Sequence, residues 1–532
     1  TITEANATYQ VYVYGGATLD NRGLFDLQSD AGIGHSGATS RFVNNGTLQK
    51  SGGTATSTIS VAFDNNGSVA ATSGSLQFTG PGAHVGSFTA TAPATIAFGG
   101  GAHNATAGAL GGTGTIAFLA GTVTIGGTAT YGPASTRVTN GTAILNVDGT
   151  SSAFEQTNGY FGGSGTFTIT GSVLWSGGTW GQPSTPGGTT VVNAGVTVAL
   201  DGAVTYPYLG YGRTLDNHGT IQYTAAARYL IFYQSATLNN FGTFDVQTDQ
   251  GVYRSAGSST FVNNSGTLQK TAGAATSGID VVVNNTGSVI VSTGTLSLDF
   301  GGTHTGTFTA VSPGTIEFDG GIHTATAGSF TGTGRISFAS GSVAIGGAAT
   351  YDPATTRVVA GHAILNIDGT TAVLEQTNGY LGGTGTFTIT GSATWSGGTW
   401  GDDGTAGGTT IINPGVTVAL DGATTYPYVG YGRTVNNNGT VVYTSLSRYL
   451  IFYQAATFNN AGTFDVQTDQ GFAVSGAGTK TFNNSGTLRK SAGTGTSQSV
   501  PVTFQNSSSC SSKKRNALRT VYSSFASAGF RY

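Results

Sequence analysis

The sequence predicts an all-β chain folded as a β-solenoid with rungs of about 20–30 residues. Three observations carry that reading. A long block repeats every 220 residues: Lys50, Lys270 and Lys490 end the copies FVNNGTLQK, FVNNSGTLQK and FNNSGTLRK. A shorter turn signal, Asn-rich residues followed by Gly, recurs inside each block. After it comes a short run of alternating apolar and polar residues. Other long-period copies begin at Trp175 and Trp395 (WSGGTWG), Tyr206 and Tyr426 (YPYLGYGRT and YPYVGYGRT), and Arg228 and Arg448 (RYLIFYQ).

The turn signal places Gly23, Gly46, Gly67, Gly219, Gly242, Gly266, Gly287, Gly439, Gly462 and Gly486 at rung openings. In the runs TIQY, TFDV, TIEF, RISF and TFTI, alternation sends Ile221 with Tyr223, Phe244 with Val246, Ile316 with Phe318, Ile336 with Phe338 and Phe167 with Ile169 to one face. Gln222, Asp245, Glu317 and Thr168 are expected outward. Asn before Gly suits a left-handed corner, which Gly adopts without steric cost. Hairpins of an antiparallel sandwich also use Asn-Gly turns, but would not hold one register over so many units. The chain divides into the end of a block (1–46), two full blocks of nine rungs each (47–266 and 267–486), the start of another (487–506) and a divergent, poorly ordered tail (507–532).

Composition narrows the function. Of 532 residues 88 are Gly and only 8% are charged, yet 28 Phe and 22 Tyr supply more apolar surface than a disordered chain carries. The formal charge of −3 forms no basic stripe, which argues against a nucleic-acid partner. The single Cys510 excludes an intrachain disulfide framework, and no run of about 18 apolar residues could span a membrane as a helix. The chain opens inside a repeat without an initiator Met or signal-peptide pattern, which reads as a segment of a longer exported protein.

NNSGTLRK followed by SAGTGTS, TFTITGS followed by WSGGTW, and ATFNNAGTFDVQTD resemble the Gly/Thr-rich repeats of large bacterial surface proteins. They are similar to autotransporter passenger regions and filamentous-haemagglutinin-like adhesins, over about residues 1–506. That resemblance implies a right-handed parallel β-helix, an extracellular or bacterial cell-surface location, and a stalk or adhesin role. It implies no catalytic residue.

The strongest candidate site is aromatic. Trp175, Tyr206, Tyr229 and Tyr253 fall 10 or 11 residues after their rung-opening glycines, as do Trp395, Tyr426, Tyr449 and Phe472. Equal phase predicts a ladder of stacked rings, either core or an exposed platform for sugar rings. Trp180, Tyr208, Tyr211, Arg213 and Arg228 would flank it, with Trp400, Tyr428, Tyr431, Arg433 and Arg448 in the second block. Carboxylates such as Asp148, Asp201, Asp368 and Asp421 are expected as solvated outer-face groups, with no acid cluster. The histidines, among them His84, His103, His304, His323 and His362, offer no pair with ligand spacing on one strand. No metal, cofactor or catalytic residue is assigned.

The reading reached is an extracellular structural rod or adhesin-like stalk, not an enzyme. The alternative is a surface protein that binds extracellular polysaccharide or cell-surface glycans through the ladder. A β-helical polysaccharide-degrading enzyme stands behind these, and ice binding further still. An open terminal rung exposes unpaired backbone groups, so end-to-end self-association is expected.

Overall fold

The computed structural model describes residues 1–6, 8–36, 40–255, 259–498, 502–507 and 510–512. Most of the divergent tail, 513–532, lies outside the described residues. Those that are described are all-β, without a helix, and their strands stack in parallel coils as a β-solenoid of about 24 turns. The chain divides into two compact units, residues 1–268 and 269–532, and each follows the same rules internally.

In the first unit the strand Thr214–Asn217 lies beside Thr237–Asn240, pairing Thr214 with Thr237, Leu215 with Leu238, Asp216 with Asn239 and Asn217 with Asn240. In the second unit Thr434–Asn437 and Thr457–Asn460 pair in the same register. Like therefore stacks on like. Alternate residues are buried along most of the strands, including every inward pair expected from the sequence. The sandwich alternative fails because the ladders are parallel; one isolated bridge, Leu381 to Gly401, runs the other way. Phe78, Phe98 and Phe118 form a fully buried column with successive centroids 6.0 Å apart. Each such ring contributes about 2 kcal/mol by leaving water.

The Asn-Gly signal marks the corners for a reason other than the one expected. Gly46, Gly242 and Gly462 do not have left-handed backbones. Instead each corner lies directly on the one before it: a Cβ at Gly46 would come within 2.2 Å of the Gly23 carbonyl oxygen, and one at Gly242 within 2.1 Å of the Gly219 oxygen. Close approach of stacked backbones requires the glycine. The asparagine two residues earlier points inward and builds a buried ladder. Asn217 Nδ2 donates to Asn240 Oδ1 (2.8 Å) and Asn240 Nδ2 to Asn264 Oδ1 (2.7 Å); Asn437, Asn460 and Asn484 repeat this at 2.6 and 2.7 Å. Each amide also donates to a backbone carbonyl, as Asn240 does to Thr267 (2.9 Å), so a polar core position is satisfied along the stack.

Lys50 is also internal. Its ammonium donates to the carbonyls of Ser29 and Gly52 (both 2.9 Å), to Ser57 Oγ (2.9 Å) and to Asp30 Oδ1 (3.1 Å). Its repetition at 270 and 490 is thus structural, since a buried ammonium needs this full set of acceptors. Asp245, expected in solvent, is covered and accepts from Gln247 Nε2 (2.7 Å).

Candidate functional site

The expected aromatic ladder separates into two sets. Trp175 pairs in register with Leu200, not with Tyr206. In WSGGTW the left-handed Gly178 (φ 80°) closes a tight corner, and Trp175 and Trp180 stack on each other inside one coil, centroids 4.1 Å apart and 6° from parallel. Both are buried, as are Trp395 and Trp400, which stack at 4.0 Å. The indoles are core. Counting from the preceding glycine failed because coil length varies: Thr142 pairs with Tyr160, 18 residues on, but Thr179 with Tyr208, 29 residues on.

Arg213 is core as well. Its guanidinium donates to the Gly163 carbonyl (2.9 Å), the Thr189 carbonyl (2.8 Å) and Thr190 Oγ1 (3.1 Å), and burial lowers its pKa to about 10. Arg433 makes the same set with Gly383, Thr409 and Thr410. These arginines clamp corners rather than a ligand. Arg228 folds back to the carbonyls of Gly202 (2.6 Å) and Ala203 (3.1 Å), with its guanidinium carbon 6.0 Å from the Tyr206 ring centre; Arg448 copies it on Gly422 and Ala423.

The tyrosines stay outside. Tyr206, Tyr229 and Tyr253 are 39%, 45% and 49% exposed, and the last two lie 6.0 Å apart. Tyr160, Tyr206, Tyr208, Tyr211 and Tyr233 line a groove of about 380 Å³, together with residues of the Asn158–Tyr160 and Gly178–Thr179 corners. Tyr211 meets Tyr233 edge-on at 5.3 Å and Tyr160 at 6.5 Å. Burial, then the neighbouring Tyr160 and Tyr233 hydroxyls, push its phenol pKa up. Tyr211 has φ of 55°, as does Tyr431. A bulky side chain in the left-handed region costs about 1–2 kcal/mol, and such strain clusters at binding sites.

No protein-family model, curated protein or solved structure matches this chain.

The second unit repeats the tyrosine set. Tyr426 and Tyr449 are 40% and 41% exposed. Tyr431 meets Tyr453 at 5.1 Å and Tyr380 at 6.3 Å, and Tyr428 meets Tyr453 at 6.3 Å. Burial first, then Tyr380, Tyr453 and Asp403, push the Tyr431 phenol up to about 12. Phe472, the counterpart of Tyr253, is buried.

Other groups come together that spacing along one strand did not reveal. His84 and His103, one coil apart, stack at 5.3 Å with Nε2 and Nδ1 3.0 Å from each other; His304 and His323 do the same. Burial lowers these histidines to about 3 and about 4 in each pair. Recurrence at one-coil spacing was the available signal. His362 Nδ1 lies 2.7 Å from Asp402 Oδ1 and 3.9 Å from Asp403 Oδ1. Asp299 is raised to about 6, first by burial, then by Asp319, Asp280 and Glu317, so acids do gather on adjacent coils of the second block. By contrast Asp148, Asp201, Asp368 and Asp421 each accept a corner amide, from Thr166, Ala203, Thr386 and Ala423 at 2.8–3.0 Å.

Proposed function

We propose that the chain is part of an extracellular, adhesin-like structural stalk whose solenoid carries exposed tyrosine grooves for saccharide binding. The observation that carries this reading is the groove around Tyr211. Five tyrosines line it, and one of them, Tyr211, is held in a strained backbone. Aromatic faces with hydroxyl rims suit sugar rings, which offer apolar C–H faces and hydrogen-bonding edges. Rigid presentation on stacked strands lowers the entropy cost of binding. The resemblance of its Gly/Thr-rich repeats to those of bacterial surface proteins supports a cell-surface location. A stalk role needs only the repeated scaffold; the grooves would supply adhesion.

Tyr211→Gly and Tyr431→Gly test the groove. Glycine removes the ring and relaxes the left-handed backbone, so the variants should be as stable as the parent or more stable by about 1 kcal/mol. Affinity electrophoresis through gels cast with polysaccharides should retard the parent and not the double variant. If no polysaccharide retards the parent, the grooves are not saccharide sites and the stalk alone remains. Antibody labelling of intact source cells tests the surface location; labelling that requires lysis would overturn it.

A further inference from the structure

We propose that His362, Asp402 and Asp403 form a binding site for a divalent transition-metal cation of the zinc class, present in the second repeat block and missing from the first. His362 opens the strand His362–Leu365 and pairs with Tyr380 on the next coil. Asp402 and Asp403 follow the strand Gly398–Trp400, reached through the left-handed Gly401 (φ 127°). One donor atom from each of the three residues lies within 4.8 Å of the others. Donors around a zinc ion, at about 2.0–2.2 Å from it, sit roughly 3–3.6 Å apart. Separations of 2.7 and 3.9 Å from the imidazole nitrogen to the two carboxylates bracket that value.

The surroundings prepare the ligands. The Tyr380 ring stacks on the imidazole at 4.2 Å and 26°, fixing its plane. Asp402 is buried, and its second oxygen accepts from the Gly404 amide (3.0 Å). Asp403 is exposed, leaving room for water to complete the coordination. An ion pair needs only His362 and Asp402; the second carboxylate is surplus to it and supplies the charge that balances a dication. One imidazole with two carboxylates favours zinc, cobalt or nickel over calcium or magnesium, which take oxygen ligands. In the first block the same positions hold Thr142, Gln182 and Pro183. All three donors are replaced together.

The test is calorimetric titration of the full chain with ZnCl₂ and, separately, CaCl₂. The comparison is the exchange variant His362→Thr, Asp402→Gln, Asp403→Pro, which carries residues the first block already accommodates. The parent should take up one more equivalent of Zn²⁺ than the variant, and Ca²⁺ should not compete. Cobalt(II) should give the parent a ligand-field absorption band that His362→Gln alone abolishes, a readout that stands if the triple exchange misfolds. The converse variant Thr142→His, Gln182→Asp, Pro183→Asp should gain one equivalent. Equal Zn²⁺ stoichiometry in parent and exchange variant, a cobalt band unaffected by His362→Gln, or Ca²⁺ binding as tight as Zn²⁺ would overturn the assignment.

Discussion

Replacing Asn240 by Ala would measure how much the internal asparagine ladder holds the coils together. The Asn240 amide donates to Asn264 Oδ1 and to the Thr267 carbonyl, and its oxygen accepts from Asn217. The side chain is fully buried, so water cannot replace these three bonds without entering the core. At about 1 kcal/mol net for each, with a small void added, the loss is about 3–4 kcal/mol. Asn239, one residue earlier, is the control. It makes its own outer ladder, donating to Asp216 Oδ1 (2.8 Å) and accepting from Asn263 (2.9 Å), but is half-exposed, so Asn239→Ala should cost under about 1 kcal/mol. A stack of coils opens locally, and a single unfolding midpoint would average the effect away. Native-state hydrogen exchange across the coils flanking Asn240 is the suitable assay. Their slowest amides should exchange on the order of a hundredfold faster in Asn240→Ala and little changed in Asn239→Ala. Equal acceleration in the two variants would refute the claim that burial gives the inner ladder its weight.

Three further outcomes follow from the same geometry. Trp175→Ala and Trp395→Ala should each destabilise their coil by about 3–5 kcal/mol, read by native-state hydrogen exchange in the flanking coils; unchanged exchange would mean that the stacked indoles are not core. Gly46→Ala should destabilise by about 1–3 kcal/mol, because its Cβ meets the Gly23 oxygen, whereas Gly23→Ala, with nothing within 4 Å, should be nearly neutral; equal effects would remove close approach as the reason for glycine. The buried histidines have folded pKa values near 3 and 4, below the usual 6.5, so as pH falls through 6.5 the unfolded chain takes up protons that the folded chain refuses. Stability should therefore be independent of these groups above pH 6.5 and fall towards pH 4 by about 1.4 kcal/mol per unit per histidine; His84→Leu with His103→Leu should flatten that slope in denaturation curves at pH 7 and pH 5, and an unchanged slope would refute it.

The fold was legible because a solenoid repeats its local rule. Alternation in TIQY or TFDV states which side chains point inward, and similar consecutive rungs make neighbours match in register, so Leu215 on Leu238 needs no tertiary information beyond the repeat. The 220-residue period likewise announced that whatever one block builds, the next builds again. The site was legible only in part. Residue types and recurrence picked out the Tyr206–Arg213 stretch, but not which rings face water, because facing depends on coil length, and a 29-residue coil (Thr179 to Tyr208) beside a 19-residue one (Tyr160 to Thr179) shifts the phase that a count from the last glycine assumes. Trp175 and Arg213 thus went to the core while Tyr211 stayed at the surface. The role of the corner glycines, the inner asparagine ladder and the meeting of His362 with Asp402 across 40 residues were decided by stacking alone. Contacts between coils depend on which residues lie above one another, a property of the wound chain that no single rung contains.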